Sequence, residues 1–202
     1  WSLFKTIAFN NMTNTLEDNR PILEVCLTPA LWDQHDPKDK NVVVIDIIRA
    51  TSTIASALHH GVKKMIPVET VEEANTWLEK GYLVAGERDG IKIPHFHFGN
   101  SPFEFMGEDV RGKEIIHTTT NGTRCVLKSK GARNIVAGSF VNQDAIFDWI
   151  KKENRNTILF CAGWKDHYVM DDALFAGAVV RELADDFRII DDSTLSAKLL
   201  YK

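Results

Sequence analysis

Acidic and basic side chains follow several apolar runs of this sequence at the point where each run ends. Asp46 comes directly after a run of aliphatic residues, and Arg49 stands three positions later. Glu87 and Arg88 end another apolar run. Carboxylate oxygens are the protein ligands that Mg²⁺ prefers, and arginine guanidinium groups bind phosphate and carboxylate oxygens in pairs. This combination predicts chemistry on a phosphorylated substrate, assisted by a divalent cation.

Four acidic residues are the predicted metal ligands, namely Asp46, Glu87, Asp171 and Asp172. Burying an acid directly after an aliphatic strand is costly unless the acid is used, which favours a functional role for Asp46. The other acids have simpler alternatives. Asp171 and Asp172 stand at the start of a predicted helix, where they would complement its dipole. Glu87 and Arg88 would equally suit a structural ion pair.

Two turns rich in hydroxyl groups and glycine follow further apolar runs. Residues 118–123 read Thr-Thr-Thr-Asn-Gly-Thr, and residues 138–142 read Gly-Ser-Phe-Val-Asn. Turns of this kind at the start of a helix present unpaired backbone N–H groups, which attract anions. We therefore expect an anion against the 118–123 turn, with Asp46 and the 138–142 turn within a side chain's reach. The alternative is that the hydroxyl groups only cap the helix.

Histidines and cysteines offer weaker signals. His95 and His97 suggest an alternative transition-metal site, although two histidines without a third ligand nearby are a weak basis for one. Cys161 ends an apolar run, which is more typical of a buried small hydrophobic residue than of a nucleophile. The three cysteines share no C-x-x-C spacing, so neither a zinc site nor a disulfide framework is predicted.

The elements that must position these residues follow a repeating order, in which an apolar, β-branched run leads into a helical pattern. Strands are predicted over residues 42–46, 64–68, 82–86, 114–117, 134–138 and 157–163, and helices over 51–60, 71–80, 123–130, 143–152 and 171–184. Thr70 with Glu73 forms a capping box, and Asn142 is the expected N-cap of its helix. Strands buried on both faces predict a three-layer α/β/α fold with a mainly parallel, or mixed, sheet. Ligands then bind at the carboxyl ends of the strands.

Composition excludes several classes of protein. The net charge of −4 over 202 residues, without a basic stripe, argues against nucleic-acid binding. No apolar run has the length of a membrane helix, and the scattered cysteines suit a reducing compartment such as the cytoplasm. Residues 1–20 are expected to form an N-terminal extension and 21–202 a single domain. The expected partners are a small polyanionic phospho-acid and, for assembly, a second copy in a homodimer.

An ordered set of blocks resembles the 2-phosphosulfolactate phosphatase family. These blocks are VVVIDIIRATST (42–53), GERDG (86–90), FGNSPFEF (98–105), TTTNGTR (118–124), GSFVN (138–142) and DDALFAGAVVREL (171–183). The resemblance implies a Mg²⁺-dependent hydrolase that removes phosphate from 2-phospho-3-sulfolactate, a step on the route to coenzyme M. Family chains look longer at the C-terminus, so the domain is expected to be truncated there.

The matching blocks supply the remaining candidate site residues. The expected substrate-binding residues are Arg88, Asn100, Ser101, Thr118, Thr119, Thr120, Asn121, Gly122, Thr123, Arg124, Ser139 and Asn142. The expected catalytic residues are Asp46, Arg49 and Glu87. Ile48 stands where a D-x-D phosphatase pattern would have its second acid, which favours a metal-activated water over an aspartyl-phosphate. Two alternatives stay open: a non-catalytic module that binds a phosphorylated ligand, and a transition-metal hydrolase that uses His95 and His97.

Overall fold

A computed structural model describes residues 18–202, so most of the expected 1–20 extension lies outside the described residues. The strands are β1 (Ile22–Cys26), β2 (Asn41–Ile45), β3 (Lys64–Pro67), β4 (Leu83–Arg88), β5 (Ile91–Lys92), β6 (Glu114–Thr118), β7 (Asn134–Gly138), β8 (Thr157–Cys161) and β9 (Arg188–Ile189). The α-helices are α1 (Ala50–His59), α2 (Val71–Glu79), α3 (Gly122–Lys128), α4 (Gln143–Glu153), α5 (Met170–Glu182) and α6 (Asp192–Leu200). Short 3₁₀ helices cover Pro29–Gln34, Pro102–Phe105, Glu108–Val110 and Phe140–Asn142. The predicted three-layer α/β/α class with mainly parallel strands is confirmed.

The first sheet has the strand order β7-β2-β8-β1-β9, and all of its pairs are parallel. Every residue of β2 and β8 is buried, as expected for strands covered on both faces. In this register Ile45 pairs with both Gly138 and Cys161. The residues that follow these three strands therefore emerge side by side, and Asp46 is the central one.

The second sheet has the order β3-β6-β4-β5, with β5 antiparallel to β4 and the other pairs parallel. Gly86 pairs with Thr118, so Glu87 and the 118–123 turn leave this sheet next to each other. This division into two sheets was not predicted from the sequence. Both edges of β2 are taken by β7 and β8, which come much later in the chain, and a local pattern does not reveal such pairing.

Helix capping matches the sequence in one case and differs in the other. The Thr70 side chain accepts from the N–H of Glu73 at 3.1 Å, which confirms the predicted start of α2. The other half of the predicted capping box is absent, because the Glu73 carboxylate accepts from the N–H of Glu69 at 3.2 Å and not from that of Thr70. Asn142 precedes α4 as predicted, but its side chain does not cap that helix. Its Oδ1 instead accepts from the N–H and the hydroxyl of Ser139, at 2.8 and 3.0 Å. The amide thus closes the preceding 3₁₀ turn on itself.

The final helix α6 packs on α5 and on the first sheet. The side chain of Asp191 caps α6 by accepting from the N–H of Thr194 at 2.8 Å, and Thr194 Oγ1 accepts from the N–H of Val25 at 2.8 Å. Gly177 of α5 allows the contact, because a Cβ there would stand 2.1 Å from the carbonyl oxygen of Ala197. Among residues 18–202, no helix combines the length and the apolar character needed to cross a membrane.

Candidate active site

The carboxyl ends of the two sheets meet where the 118–123 turn approaches Asp46. A Cβ placed on Gly122 would stand 2.7 Å from Oδ2 of Asp46 and 2.7 Å from Cβ of Ala50. Only glycine fits such a close approach without displacing one of these neighbours. The expected proximity of Asp46 and the 118–123 turn is therefore confirmed.

Asp46 is a buried carboxylate, 8% exposed, at the end of a fully buried strand. Its Oδ1 accepts from the N–H of Ala50 at 3.1 Å, at the start of α1. Burial raises the pKa of Asp46 to about 6, a shift opposed by bonds from the Ala50 and Gly122 N–H groups and increased by the charges of Glu87 and Asp171. Desolvation disfavours the charged form of an acid. The ionised carboxylate therefore lacks a compensating positive charge within the described protein.

Glu87 is buried and its carboxylate is held by the two neighbouring turns. Oε1 accepts from the N–H of Thr120 at 2.7 Å, while Oε2 accepts from the hydroxyl of Thr120 at 3.1 Å and from the N–H of Gly90 at 2.6 Å. These donors fix the orientation of the carboxylate. Glu87 thus fastens the β4–β5 hairpin to the 118–123 turn.

Arg88 does not form the ion pair with Glu87 that was one of the two interpretations of this dipeptide. Its guanidinium group donates to the backbone carbonyl of Glu87 at 2.7 Å, to Oγ1 of Thr118 at 2.9 Å and to the carbonyl of Glu69 at 3.3 Å. Three protein acceptors therefore hold the group in place. The Arg88 side chain therefore stabilises the second sheet.

Asp172 and Asp171 occupy different environments despite being adjacent. Asp172 is buried, and its two oxygens accept from the N–H groups of Ile47 and Gly163 at 2.8 and 2.9 Å. It therefore ties together the segments that follow β2 and β8. Burial, followed by the charge of Asp46, raises the pKa of Asp172 well above its ordinary value. Asp171 is half-buried, and its charge contributes to the raised pKa of Asp46.

The four predicted metal ligands do not converge as one set. Within residues 18–202, no group of three or more histidine, cysteine, aspartate or glutamate side chains is arranged to hold a metal ion. The oxygens of Glu87 and Asp172 are spent on protein donors. Asp46 and Asp171 remain, which is compatible with Mg²⁺ because this ion commonly takes only one or two protein carboxylates and completes its shell with water and phosphate.

The 118–123 turn is bonded within the protein, and the expectation of unpaired N–H groups is wrong for most of it. The N–H of Thr119 donates to Oγ1 of Thr123, and the N–H of Thr123 donates to Oγ1 of Thr119, both at 3.1 Å. The N–H of Thr120 donates to Glu87. Thr118 Oγ1 accepts from Arg88. The turn therefore acts chiefly as a bonded support for the two buried carboxylates, and direct contact with substrate stays a prediction.

The Asn100–Ser101 segment contacts the first turn of α1. The Asn100 carbonyl accepts from Oγ1 of Thr53 at 3.1 Å, and its side-chain Oδ1 lies 3.2 Å from Nε2 of His117. Burial lowers the pKa of His117 to about 4, so this histidine is neutral at physiological pH. His117 was not predicted as a site residue, although a histidine at the end of a buried strand is a usable signal. Ser101 begins the Pro102–Phe105 turn.

The cationic groups near the site differ in how firmly they are held. Arg49 donates to the carbonyl of Gly90 at 3.1 Å. Arg124 forms an ion pair with Asp166. Lys165 was not selected from the sequence, although it follows a buried strand and Gly163 as closely as the selected residues follow theirs; it pairs with Asp89. These contacts all lie on the segments that leave the strands at their carboxyl ends.

The structure also shows the surroundings of His95, His97 and Cys161. His97 Nδ1 accepts from the N–H of Val84 at 3.2 Å, and His95 Nε2 lies 2.8 Å from Oδ1 of Asn75. Neither histidine belongs to a metal-binding group in the described part of the chain. Cys161 is fully buried, as expected, and burial raises the pKa of its thiol well above the ordinary value.

Known proteins resemble this chain over most of its length. A sequence model of the family described as 2-phosphosulpholactate phosphatase matches residues 26–202. A relative named "Probable 2-phosphosulfolactate phosphatase" in Caldanaerobacter subterraneus subsp. tengcongensis is 43% identical over 176 residues, which is 84% of this chain and 73% of the relative. A relative of the same name in Carboxydothermus hydrogenoformans is 42% identical, over 75% of this chain and 64% of the relative. A relative of the same name in Clostridium perfringens is 35% identical, over 89% of this chain and 76% of the relative.

Proposed function

The chain belongs to the 2-phosphosulfolactate phosphatase family, a family of phosphoric monoester hydrolases, and on that premise we propose that it hydrolyses the phosphate ester of 2-phospho-3-sulfolactate with the help of Mg²⁺. The observation that carries the proposal is Asp46, a buried carboxylate with a raised pKa at the point where both sheets end. Perturbed acids of this kind are concentrated at functional sites. Release of sulfolactate would place the step on the route to coenzyme M, in the cytoplasm.

The donor groups support Mg²⁺ rather than a transition metal. Asp46 lies within the influence of the charges of Glu87 and Asp171, and this crowding of negative charge is what a cation relieves. A carboxylate has about four lone-pair sites, so the N–H groups at Asp46 leave room for a metal contact. Asp46 and Asp171 would hold the ion, while Glu87 would contribute charge from its bonded position. All three are hard oxygen donors, which suit Mg²⁺.

Positioning and charge stabilisation account for most of the catalysis of phosphoryl transfer. When bound, Mg²⁺ supplies positive charge against the phosphate and activates the attacking water. Arg49 stands three residues beyond Asp46, and its guanidinium group keeps donors for the phosphoryl oxygens beyond its bond to Gly90. Glu87, held by Thr120 and Gly90, fixes the relative position of the two turns that border the substrate.

A phosphate-release assay tests the proposal. Purified protein is incubated with 2-phospho-3-sulfolactate and with unrelated phosphate monoesters, in Mg²⁺ and again in EDTA. We expect release from the sulfolactate ester, loss of activity in EDTA and recovery on adding Mg²⁺. Binding without turnover would instead identify a non-catalytic module. Recovery by zinc or manganese but not by Mg²⁺ would contradict the choice of metal.

A further inference from the structure

The segment that follows β8 crosses the edge of the site and reaches the β4–β5 hairpin. Nζ of Lys165 lies 2.6 Å from Oδ1 of Asp89 at the tip of that hairpin. The N–H of Asp89 donates to Oγ1 of Thr120 at 3.2 Å, and the same hydroxyl donates to Glu87. The ammonium group of Lys165 is therefore placed at the border of the candidate active site, on the side of the second sheet.

The main chain of Lys165 is held firmly, whereas its charged end is accessible. Its N–H donates to Oδ1 of Asn121 at 3.1 Å. Trp164 and His167 close the turn around it with two backbone bonds of 2.9 Å. Lys165 has a φ of 50°, a left-handed conformation that is uncommon outside glycine. The side chain is nevertheless 55% exposed, so it can contact a ligand without refolding the turn.

Two of the other cations around the site, Arg88 and Arg124, are less available. The guanidinium group of Arg88 is bonded to three protein acceptors, and Arg124 is bonded to both oxygens of Asp166. Lys165 has a single carboxylate partner among the described residues, and both members of the pair are exposed. Exposed pairs of this kind contribute about 0–1 kcal/mol, so an anionic ligand can displace Asp89 from the ammonium group.

We propose that Lys165 binds the sulfonate group of the substrate, the acid group remote from phosphorus, and is a specificity-determining residue of this enzyme. The proposal rests on the proposed function. Arg49 bonds to Gly90 and Lys165 pairs with the adjacent Asp89, so the Asp89–Gly90 turn gathers two cationic side chains for a substrate with several acid groups. Asp89 acts as the counter-ion that Lys165 releases when the sulfonate arrives.

The test compares 2-phospho-3-sulfolactate with 2-phospholactate, which lacks the sulfonate. Lys165→Gln removes the charge and keeps most of the length of the side chain, and Lys165→Arg restores a cation. Lys63→Gln is the matched control, because Lys63 forms a similarly exposed ion pair, 2.8 Å from Glu114, at the opposite ends of the strands. We expect Lys165→Gln to raise KM for the sulfolactate ester about tenfold, equivalent to 1.4 kcal/mol, with kcat nearly unchanged.

With 2-phospholactate, Lys165→Gln should match the wild type, Lys165→Arg should recover most of the lost affinity for the sulfolactate ester, and Lys63→Gln should behave as wild type with both substrates. Equal losses on both substrates, or no loss on either, would overturn the role of Lys165. If the wild type hydrolyses neither ester, the proposed function and this inference both fall. Wild-type turnover without a selective effect at Lys165 overturns the inference alone.

Asp89→Asn provides an independent check. Asp89 has a φ of 54°, and asparagine tolerates this left-handed conformation, so the hairpin should keep its shape. Loss of the counter-ion charge frees Lys165, so we expect KM for the sulfolactate ester to fall. The decrease should be a factor of only about 2–5, because an exposed ion pair of this kind is weak. A KM that rises in Asp89→Asn would show that the ion pair itself, and not the free lysine, is the binding-competent arrangement.

Discussion

Asp46 experiences two opposing demands in the protein. Its position after a buried strand places it where the substrate should bind, but burial and the neighbouring acids make its charged form unfavourable. A group with such a raised pKa is costly to ionise unless a cation compensates. Asp46 should therefore affect both catalysis and stability, and one substitution tests both effects.

Asp46→Asn should reduce kcat by about 100-fold or more, because the site loses the negative charge that we propose holds Mg²⁺. The amide oxygen still accepts from the N–H of Ala50, so the fold should survive. Steady-state kinetics at saturating Mg²⁺ measure the loss, and circular dichroism checks the fold. Near-normal turnover in a well-folded variant would exclude Asp46 from the reaction.

The same substitution should stabilise the metal-free protein at pH 8. The folded pKa of Asp46 is about 6, above its ordinary value of 3.8, so its stabilising contribution is complete below pH 4 and is lost as pH rises through 6. This rise in the pKa corresponds to about 2–3 kcal/mol at pH 8. Unfolding in EDTA at pH 8 and at pH 4 measures the difference, which should vanish at the lower pH. A destabilised variant at pH 8 would contradict this account.

Arg49 and Arg88 should respond differently to alanine substitution. The Arg49 side chain has one bond, to Gly90, among the described residues, so Arg49→Ala should lower kcat and kcat/KM by about 10-fold or more with little change in Tm. The three bonds of Arg88 brace the second sheet, so Arg88→Ala should lower Tm. Parallel kinetics and thermal melts separate the two effects. If Arg49→Ala keeps wild-type kcat/KM, this arginine does not face the substrate.

At the scale of secondary structure, the start of α3 is the tightest junction of the site. Gly122 brings the backbone of this short helix against Asp46 and against the first residue of α1. Neither neighbour is the end of a flexible side chain that could turn away, because Asp46 is buried and bonded to Ala50. The two sheets are thus held at one distance by a position that lacks a side chain.

Gly122→Ala should therefore impair both stability and turnover. Its Cβ would stand 2.7 Å from Asp46 and Ala50, and relief requires a backbone shift costing about 1–3 kcal/mol. Gly107→Ala is the control, since its nearest neighbour is the mobile end of Asp109. Chemical denaturation and kinetics of both variants test the prediction. Equal behaviour of the two variants would show that the Gly122 contact is easily relieved.

The elements of this fold were predictable to the extent that their signals are local. Aliphatic runs such as β2 and β8, and the Thr70 cap, specify structure within a few residues. The strands β1 and β9 were not predicted, since their identity depends on pairing with each other and with β8. The strand ends correctly predicted Asp46 near the 118–123 turn. They did not reveal that the threonines bond each other and Glu87, because tertiary placement selects the partner of a hydroxyl group.

For the whole molecule, the two sheets bury separate apolar clusters and meet at the candidate site. Leu23, Ile45 and Phe175 belong to the core of the first sheet, whereas Ile115 and Phe105 belong to that of the second. Binding of a cation at Asp46 should consequently stabilise the junction between the two cores. A ligand that binds only the native state raises its stability by mass action.

Mg²⁺ should raise Tm, and the increase should be larger at pH 8 than at pH 5. Below pH 6 the proton competes with the metal for Asp46, whose pKa is about 6 in the metal-free protein. Differential scanning fluorimetry with 0 and 10 mM Mg²⁺, about the range used for weak sites, gives the measurement. Asp46→Asn should abolish the increase, while Asp144→Asn, on the first turn of α4, should retain it. An increase independent of pH would locate the ion elsewhere.

The buried cysteines make this chain suitable for site-specific labelling. Cys26, Cys125 and Cys161 are free and buried, and burial raises the pKa of each thiol, that of Cys26 to about 12. Alkylating dyes react with thiolates, so the native thiols should remain unmodified. Ile91, 73% exposed beside the Asp89–Gly90 turn, is a position where an introduced cysteine would carry a fluorophore. The dye would report ligand arrival in real time without first removing any native cysteine.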